Sequence, residues 1–217
     1  MGYKGRVFAV GVVGLFNVLR YFYYHQYLEL PFKANFFILT AIFLSVAWWC
    51  GKQFDLVQYY SEKDPLTNTY NRRSLERSFP KLAMACGKEG KKLGILMLDL
   101  NNFKEINDSF GHQMGDDILV HVASILNDFG KKKHLIARWG GDEFVMLVPG
   151  YQEEFKFVYL DALNQKLKGE KVDNLPMISA SIGFSIYPDE GKTLQELLKT
   201  ADEAMYKAKE MKKDTRL

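Results

Sequence analysis

The stretch Arg138-Trp139-Gly140-Gly141-Asp142-Glu143-Phe144 decides how the second half of this chain folds. Its two glycines separate an apolar run that begins at Leu135 from another that ends at Val148, which predicts two strands joined by a tight hairpin. We expect positive φ angles at the centre of the turn, because glycine adopts them without a Cβ clash. Adjacent like charges do not stabilise a hairpin, so Asp142 and Glu143 indicate a site for a divalent cation and a phosphate.

A further acidic residue, Asp99, lies upstream of the hairpin. It follows a continuous apolar run from Leu93 to Leu98, which is typical of a strand buried on both faces. Ligands gather where such strands end, although Asp99 is equally typical of an N-cap for the helix that follows. If this strand lies beside the one that opens at Asp142, three carboxylates converge at one edge. A hard cation would offset their repulsion, and a triphosphate would supply its remaining ligands.

The remaining patterns from residue 64 onward alternate between helical and extended. Helices are predicted over 71–86, from about 102, from Gly115 to 129, over 151–168 and from Thr193, with a strand over 178–186. Thr193 and Glu196 are spaced as a capping box for the last helix. The order α-β-α-α-β-β-α-β-α predicts an α+β fold with helices packed on a mixed sheet.

The first sixty residues are rich in Phe and Tyr and contain two apolar stretches, about 5–24 and 34–50. Each is long enough for a transmembrane helix. A signal peptide is disfavoured, because Arg20 and an aromatic run stand where a small-residue cleavage site would lie. A buried core hairpin would need a cover that the later sequence does not offer. We therefore predict a membrane region over 1–52, followed by a linker helix over 53–63 that is either a plain connector or pairs two copies of the chain.

Overall composition excludes some classes of function. The net charge of +3 is too small to indicate a nucleic-acid partner. The two cysteines, Cys50 and Cys86, have no metal-like partner nearby in the sequence and form no disulfide framework, which fits a reducing compartment.

Three polar side chains after Asp99 suit a nucleotide. Lys104 can reach phosphate oxygens from the helix that follows the strand. Asn107 offers a donor and an acceptor, and Asp116 offers two acceptors, which together match a purine with a carbonyl, a ring N–H and an amino group. Taken singly, each is also typical of a surface, cap or turn residue.

These motifs together resemble the GGDEF domain of diguanylate cyclases, which join two GTP molecules into cyclic di-GMP. The resemblance runs from Asp64 to about Lys213. It rests on Asp64-Pro65-Leu66-Thr67, residues 99–108, Gly111-His112, Gly115-Asp116, the hairpin, Ala180-Ser181-Ile182-Gly183 and the helix from Ala201 to Lys209. It implies a ferredoxin-like, palm-type central sheet behind two transmembrane helices, with residues 64–217 as the catalytic domain.

The resemblance also implies residue roles. Asp99, the carbonyl of Leu100 and Asp142 would hold Mg²⁺ or Mn²⁺, and Glu143 would lie beside the metals and the reacting 3′-hydroxyl. The division of metal-ligand and general-base duties between Asp142 and Glu143 stays open. The implied substrate-binding residues are Lys104, Asn107, His112, Asp116, Gly140, Gly141, Lys209 and Lys213.

Within that set, Asn107 and Asp116 would read guanine, and Lys104 and Lys209 would contact phosphates. The implied reaction is attack of a 3′-hydroxyl on an α-phosphate with loss of pyrophosphate. Each subunit would present one GTP, so a homodimer is implied. Because GTP is cytosolic, the catalytic domain would be cytoplasmic in a multi-pass protein of the cell membrane, and its product would act on cyclic di-GMP receptors.

Three departures from the family pattern stand out. The frequent Asp-x-Asp is Asp99-Leu100-Asn101 here, with little effect expected. The Arg-x-x-Asp of the inhibitory product site is replaced by Lys131-Lys132-Lys133-His134, so high-affinity product feedback is not expected. A common Gly-Arg is replaced by Lys212-Lys213, and Lys213 would meet phosphate less well than a guanidinium.

Other functions remain as alternatives. One is an inactive GGDEF-like module that binds GTP or a partner protein, although the signature carboxylates are present. A receptor that uses the product site is disfavoured by the loss of that motif. A different nucleotide cyclase or a polymerase-like palm would share the metal carboxylates, but not Asn107 and Asp116.

Overall fold

The structure is a computed structural model that describes residues 3–29, 34–130, 134–151, 156–169 and 178–214. The chain divides into two compact units, of which the first ends at Glu62 and the second begins at Lys63.

The first unit consists of two helices. Helix α1 (Lys4–Phe22) continues into a π-helical turn (Tyr23–Tyr27), and helix α2 runs without a break over Ala34–Glu62. Both are long and apolar enough to cross a membrane by length and composition. Of the linker helix predicted over 53–63, residues 53–62 are the last turns of α2.

Close packing joins the two helices near the start of α1. The Asp55 carboxylate accepts hydrogen bonds from the Gly5 N–H (2.7 Å) and from Nε of Arg6 (3.0 Å). A Cβ on Gly51 would lie 2.6 Å from the Arg6 Cα, so the absence of a side chain lets the backbones approach. Asp55 therefore caps the first turn of α1 and ties it to α2.

A five-stranded mixed sheet organises the second unit, in the order β1-β3-β4-β2-β5. The strands are β1 (Tyr70–Asn71), β2 (Lys92–Leu100), β3 (Leu135–Arg138), β4 (Glu143–Tyr151) and β5 (Ala180–Tyr187). Only the β1–β3 pair is parallel among these strands. The helices are α3 (Arg72–Lys88), α4 (Phe103–Phe110), α5 (His112–Phe129), α6 (Lys156–Gly169) and α7 (Leu194–Asp214).

Helices cover both faces of the sheet, which explains the continuous apolar run in β2. Leu96 and Leu98 face a core shared with α5 and α6, whereas Ile95 and Met97 face a core shared with α3 and α7. A strand buried on both faces needs apolar residues at every position.

The predicted α+β fold is confirmed, with differences at the element ends. The capping box forms, since the Glu196 N–H donates to Oγ1 of Thr193 (3.2 Å) and the Thr193 N–H donates to the Glu196 carboxylate (3.3 Å). Helix α5 begins at His112, earlier than predicted. Strand β1 was not predicted, because two residues are too few to show a period-two pattern.

The prediction of positive φ angles in the hairpin is wrong. Positive φ angles occur at Gly90, Gly111 and Gly150 among the described glycines, and not at Gly140 or Gly141. The loop between β3 and β4 is longer than the two-residue turn that needs positive φ angles. The N–H groups of Trp139 (2.8 Å) and Gly140 (3.4 Å) both donate to the Glu143 carbonyl. A Cβ at 140 would lie 2.6 Å from Oε2 of Glu143, so a side chain there would displace the end of the Glu143 carboxylate.

Candidate active site

The register of the sheet brings the two acidic segments together. Strand β2 runs antiparallel to β4, and Asp99 lies directly opposite Glu143. On its other side Asp99 lies opposite Ser181 of β5. Directly opposed residues in antiparallel strands project from the same face. The end of β2 and the start of β4 therefore meet at one edge, which is the pairing on which the expected convergence of carboxylates depended.

A cavity of about 460 Å³ opens at this edge. Five of the predicted site residues line it, namely Asp99, Leu100, Lys104, Asp142 and Lys209. The other lining residues are Asn101, Asn102, Phe103, Glu105, Ser179 and Ser181. The cavity thus combines carboxylates, lysines and hydroxyl groups, which suits a charged and polar ligand.

Burial and mutual repulsion perturb the protonation of the acids. Burial and the charge of Asp99 raise the pKa of Asp142. Burial, followed by the charges of Asp99, Asp142 and Asp202, raises the pKa of Glu143. Lys209 counters part of this charge, because its Nζ lies 2.6 Å from Oδ1 of Asp99. Asp99 and Asp142 line the cavity, whereas Glu143 is not among its lining residues. Clustered acids with perturbed pKa values beside a cavity are typical of functional sites.

The donor set determines which cation could bind. In the part of the chain that the structure describes, no three His, Cys, Asp or Glu side chains form a metal-binding group. The predicted metal ligands are the carboxylates of Asp99, Asp142 and Glu143 together with the main-chain carbonyl of Leu100. These oxygens fit Mg²⁺, which uses one or two carboxylates and completes its shell with phosphate and water. The metal assignment stays a prediction.

The residues predicted to read guanine lie on two consecutive helices. Asn107 is on α4 and Asp116 on α5, and both are half-buried. A Cβ on Gly115 would overlap Oδ1 of Asn107, so the Asn107 amide packs over the residue that precedes Asp116. These two side chains and the exposed His112 are not among the residues that line the cavity at the sheet edge.

Some predicted features lie outside the described residues. They are the side chain of Lys213 and residues 131–133 of the segment that replaces the product-site motif. The absence of product feedback therefore stays a prediction from sequence.

Arg138 is a contact residue that sequence reasoning missed. Its Nε (3.1 Å) and Nη2 (2.7 Å) donate to the carbonyl of Gly141, and its Nη1 donates to Oδ1 of Asp64 (3.3 Å). Burial acts to raise the pKa of Asp64, but hydrogen bonds from Thr67 and the charge of Arg138 lower it overall. Arg138 thus holds the signature loop to the segment that begins the second unit. In the sequence, the only indication that Arg138 contributes to this region is its position just before Gly140 and Gly141.

Comparison with known proteins agrees with this arrangement. A family model described as "Diguanylate cyclase, GGDEF domain" matches residues 61–215. The cyclic di-GMP phosphodiesterase NbdA of Pseudomonas aeruginosa is 35% identical over 148 residues, which are 67% of this chain and 19% of that protein. The probable diguanylate cyclase DgcC of Escherichia coli is 30% identical over 155 residues, 70% of this chain and 42% of that protein. The chain therefore spans less than half the length of either relative.

Solved structures share the fold of the second unit. A sensory box/GGDEF family protein from Caulobacter crescentus has a TM-score of 0.64 and 34% identity, covering 69% of this chain and 99% of that chain. The coiled coil and GGDEF domain of DgcB from the same organism, in complex with c-di-GMP, has a TM-score of 0.67 and 25% identity, covering 73% and 86%. The family match, these structures and the acidic sheet edge lead to one conclusion: the chain belongs to the GGDEF family of diguanylate cyclase domains.

Proposed function

We propose that the protein is an active diguanylate cyclase, which condenses two GTP molecules into cyclic di-GMP and two pyrophosphates. The observation that carries the proposal is the register of β2 and β4, which sets Asp99 opposite Glu143. A cavity lined by Asp99, Asp142, Lys104 and Lys209 at this end of the strands supports the proposal further.

The acids and lysines have separate duties in this proposal. Asp99, Asp142 and the Leu100 carbonyl hold Mg²⁺, which when bound neutralises charge on the phosphates. Glu143 accepts the proton of the attacking 3′-hydroxyl, because it is the carboxylate that follows Asp142 and lies opposite Asp99 across the β2–β4 pair.

Recognition of GTP uses the groups around the acids. Asn107 and Asp116 bind the guanine edge, with His112 at the start of α5 beside them. Lys104, Lys209 and Lys213 contact phosphates, and Lys209 exchanges its contact with Asp99 for the nucleotide. Gly140 and Gly141 let the nucleotide lie against the backbone, and a Cβ on Gly141 would meet open space.

We further propose that residues 1–52 anchor the protein in the cell membrane as two transmembrane helices. Residues 53–63 then form the linker, and residues 64–217 form a cytoplasmic catalytic domain that works as a homodimer. The length and apolar composition of α1 and α2 support the anchor. The replaced product-site motif supports the absence of high-affinity product inhibition. Cyclic di-GMP would then reach its receptors without inhibiting the enzyme that makes it.

Turnover of the full-length protein in detergent tests the proposal. With GTP and Mg²⁺, we expect one cyclic di-GMP for every two pyrophosphates, and no product from ATP. Glu143→Gln should lower turnover by about 100-fold or more, because general-base catalysis contributes about that much. The exposed Glu203→Gln serves as the matched control and should leave turnover unchanged.

The same measurements separate the second candidate, an inactive GTP-binding module. Binding of GTP without turnover, at protein concentrations where dimers form, would support that module and contradict the cyclase.

A further inference from the structure

Asn101 joins the end of β2 to the beginning of β5. Its main-chain N–H donates to the Ser179 carbonyl (2.9 Å), and its Nδ2 donates to the Ser179 hydroxyl (3.1 Å). Its Oδ1 accepts a hydrogen bond from the hydroxyl of Ser181 (2.8 Å), which is 1% exposed. A primary amide suits this position because it offers a donor and an acceptor at once.

Leu100, the residue before Asn101, is also held by a hydrogen bond, on the opposite side of β2. The Leu100 N–H donates to the Asp142 carbonyl (3.3 Å), on the β4 side of the cavity. Asn102 follows Asn101 with φ 59°, a left-handed conformation that turns the chain into α4. The Leu100 side chain is buried in the core, yet Leu100 lines the cavity, so its main chain reaches that surface. Leu100, the last residue of β2, is therefore held on the β4 side by its own N–H and on the β5 side by the contacts of Asn101.

We propose that Asn101 is a positioning residue, which through Ser179 and Ser181 sets the Leu100 carbonyl and Asp99 for a divalent cation and the phosphates of GTP. This inference rests on the proposed function, which supplies the ligand. Ser181 supports it independently, because the hydroxyl that binds Asn101 belongs to the residue directly opposite Asp99 in the sheet. Groups that orient metal ligands change metal affinity by about 10- to 100-fold when they are removed.

Because the Asn101 amide is neutral, it adds no negative charge to the cavity. An aspartate at 101 could accept from both serine hydroxyls, since hydroxyl groups rotate to suit their partners. It would keep the positioning contacts and add a negative charge beside Asp99 and Asp142. Asn101→Asp should therefore tighten divalent-cation binding, whereas Asn101→Ala should weaken it.

The test uses the full-length protein in detergent and a GTP analogue with a methylene group between its α- and β-phosphates, which cannot release pyrophosphate. Calorimetry measures the Mg²⁺ dependence of analogue binding for the wild type, Asn101→Ala, Asn101→Asp and Ser181→Ala. The matched control is Asn127→Ala, which removes one amide-to-carbonyl hydrogen bond (2.9 Å) inside α5, away from the cavity. Melting temperatures without metal are measured in parallel.

We expect Asn101→Ala to weaken Mg²⁺-dependent binding by about tenfold or more. Ser181→Ala should weaken it less, because the Ser179 contacts remain. Asn101→Asp should strengthen it by roughly threefold or more. Equal affinity for the wild type and Asn101→Ala, with only a lower melting temperature, would mean that Asn101 merely braces the sheet.

Two further outcomes test the positioning role of Asn101 separately from the proposed cyclase activity. Loss of affinity in Asn101→Asp equal to that in Asn101→Ala would overturn the positioning argument, even if the wild type makes cyclic di-GMP. Conversely, a wild type that binds the analogue with the expected variant pattern but makes no product would leave the positioning role in place and remove the cyclase assignment.

Discussion

The acidic residues at the cavity edge are arranged for binding at a cost to stability. Asp142 and Glu143 are half-buried next to Asp99, and each carboxylate is harder to ionise in the folded chain than in water. Lys209 offsets only part of the repulsion, through its contact with Asp99. A fold selected for stability alone would separate these charges, which supports a ligand-binding role for this edge.

Stability should therefore rise when Glu143 is made neutral. Its raised pKa lies above the ordinary value of 4.5, so the folded protein holds the proton more tightly than the unfolded chain does. At pH 7 the ionised group costs stability, and Glu143→Gln should raise the melting temperature. The gain should shrink as the pH falls through the raised pKa and vanish below 4.5, where the native glutamate is protonated in both states.

Thermal melting across pH checks this prediction, with the exposed Glu203→Gln as a control that should show no such gain. A Glu143→Gln variant that melts at or below the native temperature at pH 7 would contradict it.

At the scale of elements, the contact of β5 with α7 brings Lys209 to the cavity. A Cβ on Gly183 of β5 would overlap the Ala201 carbonyl of α7 and would lie 2.8 Å from the Met205 Cβ. Glycine at 183 therefore allows the helix to lie directly on the strand. Asp99 of β2 then meets Lys209, which is on the same helix as Ala201.

Gly183→Ala should push α7 away from β5, because no flexible side chain can move aside for the new methyl group. We expect a loss of about 3 kcal/mol in the free energy of unfolding, and weaker nucleotide binding as Lys209 shifts. The matched control is Gly87→Ala inside α3, where a Cβ meets nothing within 4 Å. That change should stabilise the chain by about 0.5–1 kcal/mol. Equal melting temperatures for the two variants would refute the packing argument.

At the scale of the whole molecule, helix α2 continues without a break from the apolar region to the last residue of the first unit. Helix α2 has 29 residues, and at 1.5 Å per residue it is about 44 Å long, beyond the roughly 30 Å of a bilayer's hydrocarbon core. Its last turns would therefore extend past the membrane in the proposed arrangement. The second unit then begins at Lys63, next to Asp64, the residue that Arg138 ties to the signature loop.

Mixing subunits tests whether two copies of this chain act together. If each product needs working acids from both subunits, an equimolar, exchanged mixture of wild type and Glu143→Gln contains only about one quarter fully active dimers. We expect cyclic di-GMP formation near one quarter of that from wild type at the same total concentration. A control mixture of wild type with Glu203→Gln should keep full activity. A value near one half would mean that subunits work independently.

Much of the fold and part of the site could be predicted from local patterns. The buried run of β2, the capping box at Thr193 and the acids of the hairpin are short-range signals in the sequence. Long-range contacts were not predictable in this way. The two-residue β1 has no pattern of its own and exists only because it pairs with β3. Likewise, nothing in the sequence links Arg138 to Asp64, which meet only after folding.

The sequence by itself determined the longer helices and strands and which residues carry charge, because apolar periodicity and glycine, proline and carboxylate positions act over a few residues. Only the tertiary structure decided the register that sets Asp99 between Glu143 and Ser181. It also decided that Asn101 bridges to β5, and that Gly140 lies against the Glu143 carboxylate without a positive φ angle. These outcomes depend on pairing between distant strands, where a slip of one residue would turn each side chain to the opposite face.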